Sequence, residues 1–369
     1  MKIIHIIGNM DTGGAEKLLL ETLPLYNEKG VVCDLLVFNG TNYSFMRALK
    51  ELNCCKVFSL GYGSIYNPLL IFKIIPFLRK YDIAHVHLFP AQYWVVMSKI
   101  VSFSKIKLIL TEHNSINSRM NIILLRGIEK FIYRFYSKII CITKDIQEKI
   151  IQYTCLEAKK FMIIHNGVNL ELINNSLPYP KNEISAIFNQ EDKLIIQVSR
   201  FKRPKDQLTL IKSLLYLPKD VKLILVGEGE LKKECQKLTL DQGLNERVVF
   251  LGLRMDVPRL LKSADIIVLS TFFEGLSLSS IEGMASRRPF IGSNVEGLSN
   301  VIFGGGLLFE REDEQELAKI ITKLINDHNF YDMVVHDCLK RSEQYDIKKM
   351  VVKHIDLYNS IFKQNEIFS

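Results

Sequence analysis

No stretch of this chain approaches the ~20 consecutive apolar residues that a membrane-spanning helix requires. The nearest candidate, Leu69 to Leu78, is interrupted by Lys73 and Pro76. The opening run Ile3-Ile4-His5-Ile6-Ile7 is too short for a signal-peptide core and leads into Gly8 and Asp11, so it reads as a first strand. The seven cysteines lack metal-ligand spacing: Cys54 and Cys55 are adjacent and the others scattered. Reduced thiols in a cytosolic protein are the expected state. Neither a G-x-G-x-x-G fingerprint nor a Gly-Lys-Ser/Thr P-loop occurs. The basic residues come without a nucleic-acid-binding module, so no nucleic-acid partner is expected. Repeats and low-complexity segments are missing as well.

What remains is an ordinary globular composition with an uneven charge. The 369 residues are 48% hydrophobic and 24% charged, enough for two domains of ~150–200 residues. Residues 1–180 carry 21 Lys and Arg against 13 Asp and Glu, whereas residues 181–369 carry 27 of each. The whole net charge of +8 therefore belongs to the first half, which points to an anionic partner there.

Short apolar runs alternate with amphipathic stretches in two series. The first predicts strands at Ile3–Ile7, Leu35–Phe38, Val57–Leu60, Ile83–His87, Leu108–Glu112, Ile139–Thr143 and Met162–His165. The second predicts strands at Leu194–Val198, Leu223–Val226, Val248–Leu251, Ile266–Leu269, Phe290–Ile291 and Leu307–Phe309. Such alternation implies parallel βαβ units and doubly wound sheets, hence an α/β chain of two Rossmann-like domains. The expected domains are 1–175 and 183–345, joined by the polar stretch Asn174–Asn182. A final amphipathic helix, about 346–369, is expected to pack back on the first. Ligands of such sheets sit at the carboxyl ends of the strands, and the cleft between two such domains is the natural place for one.

Several chemistry-bearing residues fall at predicted strand ends. Glu274-Gly-Leu-Ser-Leu-Ser-Ser-Ile-Glu282 follows the run Ile266–Leu269 and combines a glycine turn, a helix start and two flanking carboxylates. Amides at a helix N-terminus hold phosphate, and carboxylates accept hydrogen bonds from sugar hydroxyls. A nucleotide diphosphate-sugar has that chemistry. The competing reading is a capping box, since Ser279-Ser280-Ile281-Glu282 matches S-x-x-E. Arg200, Lys202, Arg203 and Lys205 follow another strand, and Arg200 and Lys205 suit a diphosphate, although a solvated charge run explains the segment equally. Gly13-Gly14-Ala15-Glu16 and Gly227-Glu228-Gly229 are Gly-containing strand–helix turns, each weak alone. His113 lies past a strand end, where a structural role is the commoner one. His85 and His87 share a strand face and suggest a metal pair, but no third ligand is evident in sequence.

In order and spacing, these landmarks resemble a retaining glycosyltransferase of the GT-B architecture, in the family-4 type group. They are joined by His165-Asn166-Gly167-Val168 and Phe250-Leu251-Gly252 and cover about Met1 to Phe309. The segments His87-Leu88-Phe89-Pro90 and Thr111-Glu112-His113-Asn114 are similar to bacterial enzymes that build surface polysaccharides. The resemblance implies two Rossmann-like domains facing across a cleft, with a nucleotide diphosphate-sugar donor (UDP first) and a saccharide or lipid-linked acceptor. It makes His113, Arg200, Lys205 and Glu274 catalytic, Arg200 and Lys205 holding the diphosphate and Glu274 the transferred sugar. Gly13, Gly14, Gly227, Leu276, Ser277, Leu278, Ser279 and Glu282 would bind the donor, Glu282 through the ribose. Glu16 and His87 would contact the acceptor. The chain has no Asp-x-Asp, the metal-diphosphate clamp of the other glycosyltransferase architecture, so no metal or other cofactor is expected.

Two residues depart from the family pattern. Arg287 stands where glycine is usual, and would have to accept the left-handed conformation of a helix end; Asn300 stands where Glu is common. Arg126, Lys130, Arg134 and Lys138, each four apart, would draw a basic stripe along a helix. Such a stripe suits anionic lipid and a peripheral position on the inner face of the membrane, or else a solvated helix face. Rival readings are a non-catalytic nucleotide-sugar-binding protein and an NDP-sugar epimerase.

Overall fold

In a computed structural model, residues 1–113 and 123–366 are described, except the side chains of 123–125 and 364–366. Asn114, in the motif around His113, lies outside them. All thirteen predicted strands form. The first seven are β1 (Lys2–Ile7), β2 (Val32–Val37), β3 (Val57–Ser59), β4 (Ile83–His87), β5 (Lys107–Glu112), β6 (Lys138–Cys141) and β7 (Phe161–Ile163). Six follow: β8 (Lys193–Val198), β9 (Val221–Val226), β10 (Val248–Gly252), β11 (Ile266–Leu269), β12 (Phe290–Ser293) and β13 (Leu307–Phe309).

Helices fill the intervals. In the first series they are α1 (Gly14–Glu28), α2 (Ser44–Leu52), α3 (Leu70–Leu78), α4 (Ala91–Ser102), α5 (Ile123–Arg134) and α6 (Lys144–Thr154). Then come α7 (Leu170–Asn175), α8 (Lys181–Ile184), α9 (Gln207–Ser213), α10 (Lys232–Asp241) and α11 (Val257–Ser263). The last are α12 (Leu278–Ala285), α13 (Leu298–Ile302), α14 (Glu314–Asn326), α15 (His328–Ser342) and α16 (Ile347–Glu366). Local chemistry sets several boundaries. Thr143, Asp206 and Asp313 cap α6, α9 and α14 by accepting from the third amide beyond them. Asn53, Phe103 and Cys155 end α2, α4 and α6 in the left-handed conformation.

The strands make two wholly parallel sheets, ordered β3-β2-β1-β4-β5-β6-β7 and β10-β9-β8-β11-β12-β13. Both follow the doubly wound order, in which the direction of winding reverses between β1 and β4 and again between β8 and β11. Ligands of such sheets bind beyond the strand ends at that reversal. Near-continuous apolar runs such as Ile266–Leu269 are fully buried, as sheets covered on both faces require.

The chain divides into two compact units, Met1–Gly167 with Ile347–Ser369, and Val168–Asp346. The terminal helix α16 therefore belongs to the first unit, against α1. The division at Gly167 falls ahead of Asn174–Asn182, the stretch expected to be a linker. That stretch is instead fastened to the second unit. α7 packs on α11 and α12, Tyr179 donates from its hydroxyl to Asp256 at 2.7 Å, and the Arg259 guanidinium stacks over the Tyr179 ring. Lys262 donates to the Asn174 carbonyl at 2.9 Å.

Candidate active site

The carboxyl ends of β8 and β11 are sewn together in the second unit. Gln197 receives the Ser270 amide at 2.9 Å and donates to Ser199 Oγ at 2.9 Å. Gln207 donates to the same hydroxyl and to the Arg200 carbonyl, both at 3.0 Å. Beyond them Lys205 forms an antiparallel bridge with Thr271, and the Phe272 amide donates to the Pro204 carbonyl at 2.8 Å. Asp206 caps α9 with one oxygen and receives Ser270 Oγ with the other at 3.2 Å. The loop after β8 is thus held along the segment after β11, and the result is direct. The Lys205 ammonium forms an ion pair with Glu274 while 16% and 12% of the two side chains remain exposed. Arg200 stands at the exposed shoulder of the same loop.

Two glycines permit this assembly. Gly227 has φ +139°, and a β-carbon there would collide with the Ser199 carbonyl. Gly297, at φ +84°, lies against the Glu274 and Gly275 carbonyls in the same way. Each is demanded by backbone packing around the two loops, which is the structural source of the Gly227 landmark.

The capping-box alternative for Glu282 is not what forms. The N-cap of α12 is Ser277, whose hydroxyl accepts the Ser280 amide at 3.3 Å. Ser279 lies inside the helix, within 3.1 Å of Ser277 Oγ. Glu282 is therefore two residues too deep to close a box, and its side chain is buried. Leu276 and Ser277 are buried as well, and the first turn of α12 follows the loop after β11, with helix amides that lack intrahelical partners. At the other end of α12, Arg287 adopts φ +63°, the left-handed conformation that its position in sequence predicts. Asn300 is exposed on α13, with its carbonyl held by Arg341 at 2.6 Å.

The first unit gathers its candidate residues at β1, β4 and β5. α1 opens at Gly14, with Gly13 as N-cap and Glu16 in the first turn. His113 directly follows β5, half-buried, and desolvation pushes its pKa down to about 4. The preceding Glu112 is buried and accepts from the Tyr133 hydroxyl. His87, expected at the acceptor, turns inward. It is buried, with Nε2 3.0 Å from His5 Nδ1 and Nδ1 3.4 Å from His113 Nε2. Register explains the meeting: β1 pairs with β4 so that His5 lies opposite His85, and alternate residues share a face.

His5 is the third partner that sequence alone did not supply. Nitrogens of His5, His85 and His87 lie within 4.8 Å of one another. His85, however, has Nδ1 2.7 Å from the Tyr358 hydroxyl and Nε2 2.6 Å from Thr111 Oγ1, so binding a metal would cost it one of these bonds. His354 completes the cluster from α16, with Nδ1 2.5 Å from the Tyr26 hydroxyl. Desolvation lowers all of these imidazoles: His5 and His354 to about 3, His85 and His87 well below the usual range. They are neutral at pH 7.

The basic stripe is shorter than its spacing suggests. α5 ends at Arg134, and Lys138 opens β6, donating to the Lys159 carbonyl at 2.7 Å. Arg126 lies over the Tyr153 ring, and Lys130 lies 3.8 Å from Cys155 Sγ. Among the described residues, no helix is long and apolar enough to cross a membrane.

Comparison with known proteins agrees with this anatomy. Residues 12–172 match the family model described as Glycosyltransferase Family 4, and residues 180–337 the one described as Glycosyl transferases group 1. A Campylobacter jejuni N-acetylgalactosamine-N,N'-diacetylbacillosaminyl-diphospho-undecaprenol 4-alpha-N-acetylgalactosaminyltransferase is 25% identical over 95% of this chain and 97% of its own. The Staphylococcus aureus capsular polysaccharide biosynthesis glycosyltransferase CapM is 28% identical over 62% of this chain and 63% of its own. In fold, Anabaena HepE, solved with UDP and glucose, superposes with a TM-score of 0.84 at 22% identity, covering 98% of this chain and 100% of that one. With both units matched in tandem and bacterial polysaccharide enzymes among its relatives, the chain belongs to the group 1 and family 4 glycosyltransferases of GT-B fold.

Proposed function

We propose that the chain moves a sugar from a nucleotide diphosphate-sugar, with UDP as the nucleotide, to a saccharide or lipid-linked acceptor in bacterial surface-polysaccharide synthesis, with retention of configuration. The observation that carries the donor half is the Lys205–Glu274 contact, four residues ahead of α12. An ammonium and a carboxylate side by side suit phosphate and sugar hydroxyls respectively. The Campylobacter and HepE names supply the lipid-diphosphate and UDP chemistry by likeness.

In this reading Arg200 and Lys205 bind the diphosphate together with the backbone around Leu276, Ser277, Leu278 and Ser279. Glu282 takes the ribose hydroxyls and Glu274 those of the sugar; His113 contacts the sugar, while Gly13, Gly14 and Glu16 serve from the start of α1. As the bond from the anomeric carbon to the phosphate oxygen breaks, its electron pair stays on the phosphate, where preorganised cations and amides stabilise it. The acceptor oxygen attacks the same face, and its proton passes to the departing phosphate. The two cations take the part a divalent metal plays elsewhere. Arg126, Lys130 and Arg134 would hold the first unit near anionic lipid.

A thermal-shift panel of nucleotide diphosphate-sugars tests the donor. One of them should raise Tm, since ligand at a hundred times its Kd adds about 2.7 kcal/mol. No shift with any member would sink the proposal. Slow donor hydrolysis by the purified protein would separate an enzyme from a mere binder, and the anomeric configuration of the product, read by NMR, tests retention.

A further inference from the structure

Three histidines of the first unit form a row with a blind inner end. His113 Nε2 faces His87 Nδ1 at 3.4 Å, and His87 Nε2 faces His5 Nδ1 at 3.0 Å. His5 Nε2 is buried and has no hydrogen-bond partner among the described residues. The hydroxyls around it are engaged elsewhere. Tyr26 meets His354, Tyr358 meets His85 Nδ1, and Thr111 meets His85 Nε2. The His5 ring itself is stacked on Tyr26, with centroids 5.4 Å apart.

A neutral imidazole has one N–H and one lone pair, so the row has only two proton orders. Run inward, His113 donates to His87 and His87 to His5, which leaves His5 Nε2–H pointing at no acceptor. Run outward, His5 Nδ1–H donates to His87 Nε2, and His87 Nδ1–H donates to His113 Nε2. The blind end is then a bare lone pair. Orphaned N–H groups are the rarer fault in protein interiors, so the outward order is the stable one.

We infer that His5 and His87 are positioning residues that hold His113 in the Nδ1-protonated tautomer, making its Nδ1–H the hydrogen-bond donor offered to an oxygen of the transferred sugar. The sugar contact rests on the functional reading given above, whereas the tautomer does not. Burial keeps the row uncharged at neutral pH, with His5 held at about 3 and His113 at about 4. The titratable groups against the row are His85, His354, Tyr26 and Tyr358. His87, assigned by sequence to the acceptor, thereby acquires a different task.

The test is long-range proton–nitrogen NMR on protein labelled at its eight histidines, with His113→Gln used to assign the His113 signals. Wild type should show His113 protonated at Nδ1 and bare at Nε2. His5→Leu removes the first donor and should turn His113 into a mixture of tautomers and lower kcat roughly tenfold, the worth of one neutral hydrogen bond. His5→Asn, whose side-chain amide puts a donor near the place of Nδ1, should restore both. Protonation of His113 at Nε2 in wild type, or an unchanged tautomer in His5→Leu, would overturn the inference. A wild type with the Nδ1 tautomer but no turnover of any nucleotide diphosphate-sugar would remove the sugar contact and the proposed function, leaving the row standing.

Discussion

Lys205 and Glu274, 69 residues apart, form an ion pair where the loop after β8 lies along the segment after β11. The pair is held by its surroundings: the Lys205–Thr271 bridge fixes one backbone to the other, and the Glu274 amide is bonded to the Glu296 carbonyl. Two loops of opposite charge are thus prearranged around one point at the β8/β11 reversal.

If that point receives the donor diphosphate, Arg200→Ala and Lys205→Ala should each cost ~3 kcal/mol of transition-state stabilisation, about a hundredfold in rate. Circular dichroism should remain native. Glu274→Ala should cost a similar factor, and the Lys205/Glu274 double variant should lose less than the product of the singles, because the partners act together. Wild-type turnover in Arg200→Ala and Lys205→Ala would remove both from the reaction.

Arg287 is exposed in the left-handed conformation, with Lys262 near enough to be affected by its charge. A side chain there costs roughly 1–2 kcal/mol, partly offset by the greater entropy glycine loses on folding. Arg287→Gly should raise stability by about 1 kcal/mol, a gain of ~2–4 °C in Tm for a domain of this size. Calorimetry reads it directly. A lowered Tm would mean that the guanidinium makes a contact worth more than the strain.

The cap of α12 separates two serines. Ser277→Ala removes the acceptor of the Ser280 amide and should destabilise the second unit by about 1 kcal/mol. Ser279→Ala should stay within about 0.5 kcal/mol of wild type, as substitutions away from such features usually do. Urea midpoints for the two variants decide it, and the reverse ranking would reinstate the S-x-x-E box.

The histidine cluster makes the fold acid-sensitive. His5, His85, His87, His113 and His354 all have depressed pKa values in the folded chain. Their contribution is complete above ~6.5, the unfolded value, and is lost as pH falls toward the folded values. Each group then removes about 1.4 kcal/mol per pH unit, because the unfolded chain takes up protons that the folded one refuses. Between pH 7.5 and 5.5 the urea midpoint should fall steeply. A flat midpoint over that interval would mean that these imidazoles are not buried as neutral species.

The strands were legible because parallel sheets covered on both faces demand unbroken apolar runs, and Leu223–Val226 and Ile266–Leu269 need no context to be read. The segment from Glu274 to Glu282 stood out because its glycine, serines and carboxylates are neighbours in sequence. What escaped depends on register and on distant partners. Nothing local to His5 reveals that β1 pairs with β4 opposite His85, although three histidines at strand-compatible spacing were the available signal. Tyr133 bracing Glu112 and the Gln197–Ser199–Gln207 lattice likewise span helices and strands. Asn174–Asn182 looks like a linker by composition but is fixed by Asp256, Arg259 and Lys262, some eighty residues on. A four-residue period carried Lys138 into the basic stripe because the end of α5 at Arg134 leaves no mark on that period.

The most direct measurement of the central claim is calorimetric titration of UDP into wild type, Arg200→Ala and Lys205→Ala. Saturable one-site binding by wild type, weakened at least about tenfold in each variant for a lost ~1.4 kcal/mol, is the predicted result. Equal affinity in all three proteins, or no heat at all with wild type, would contradict it.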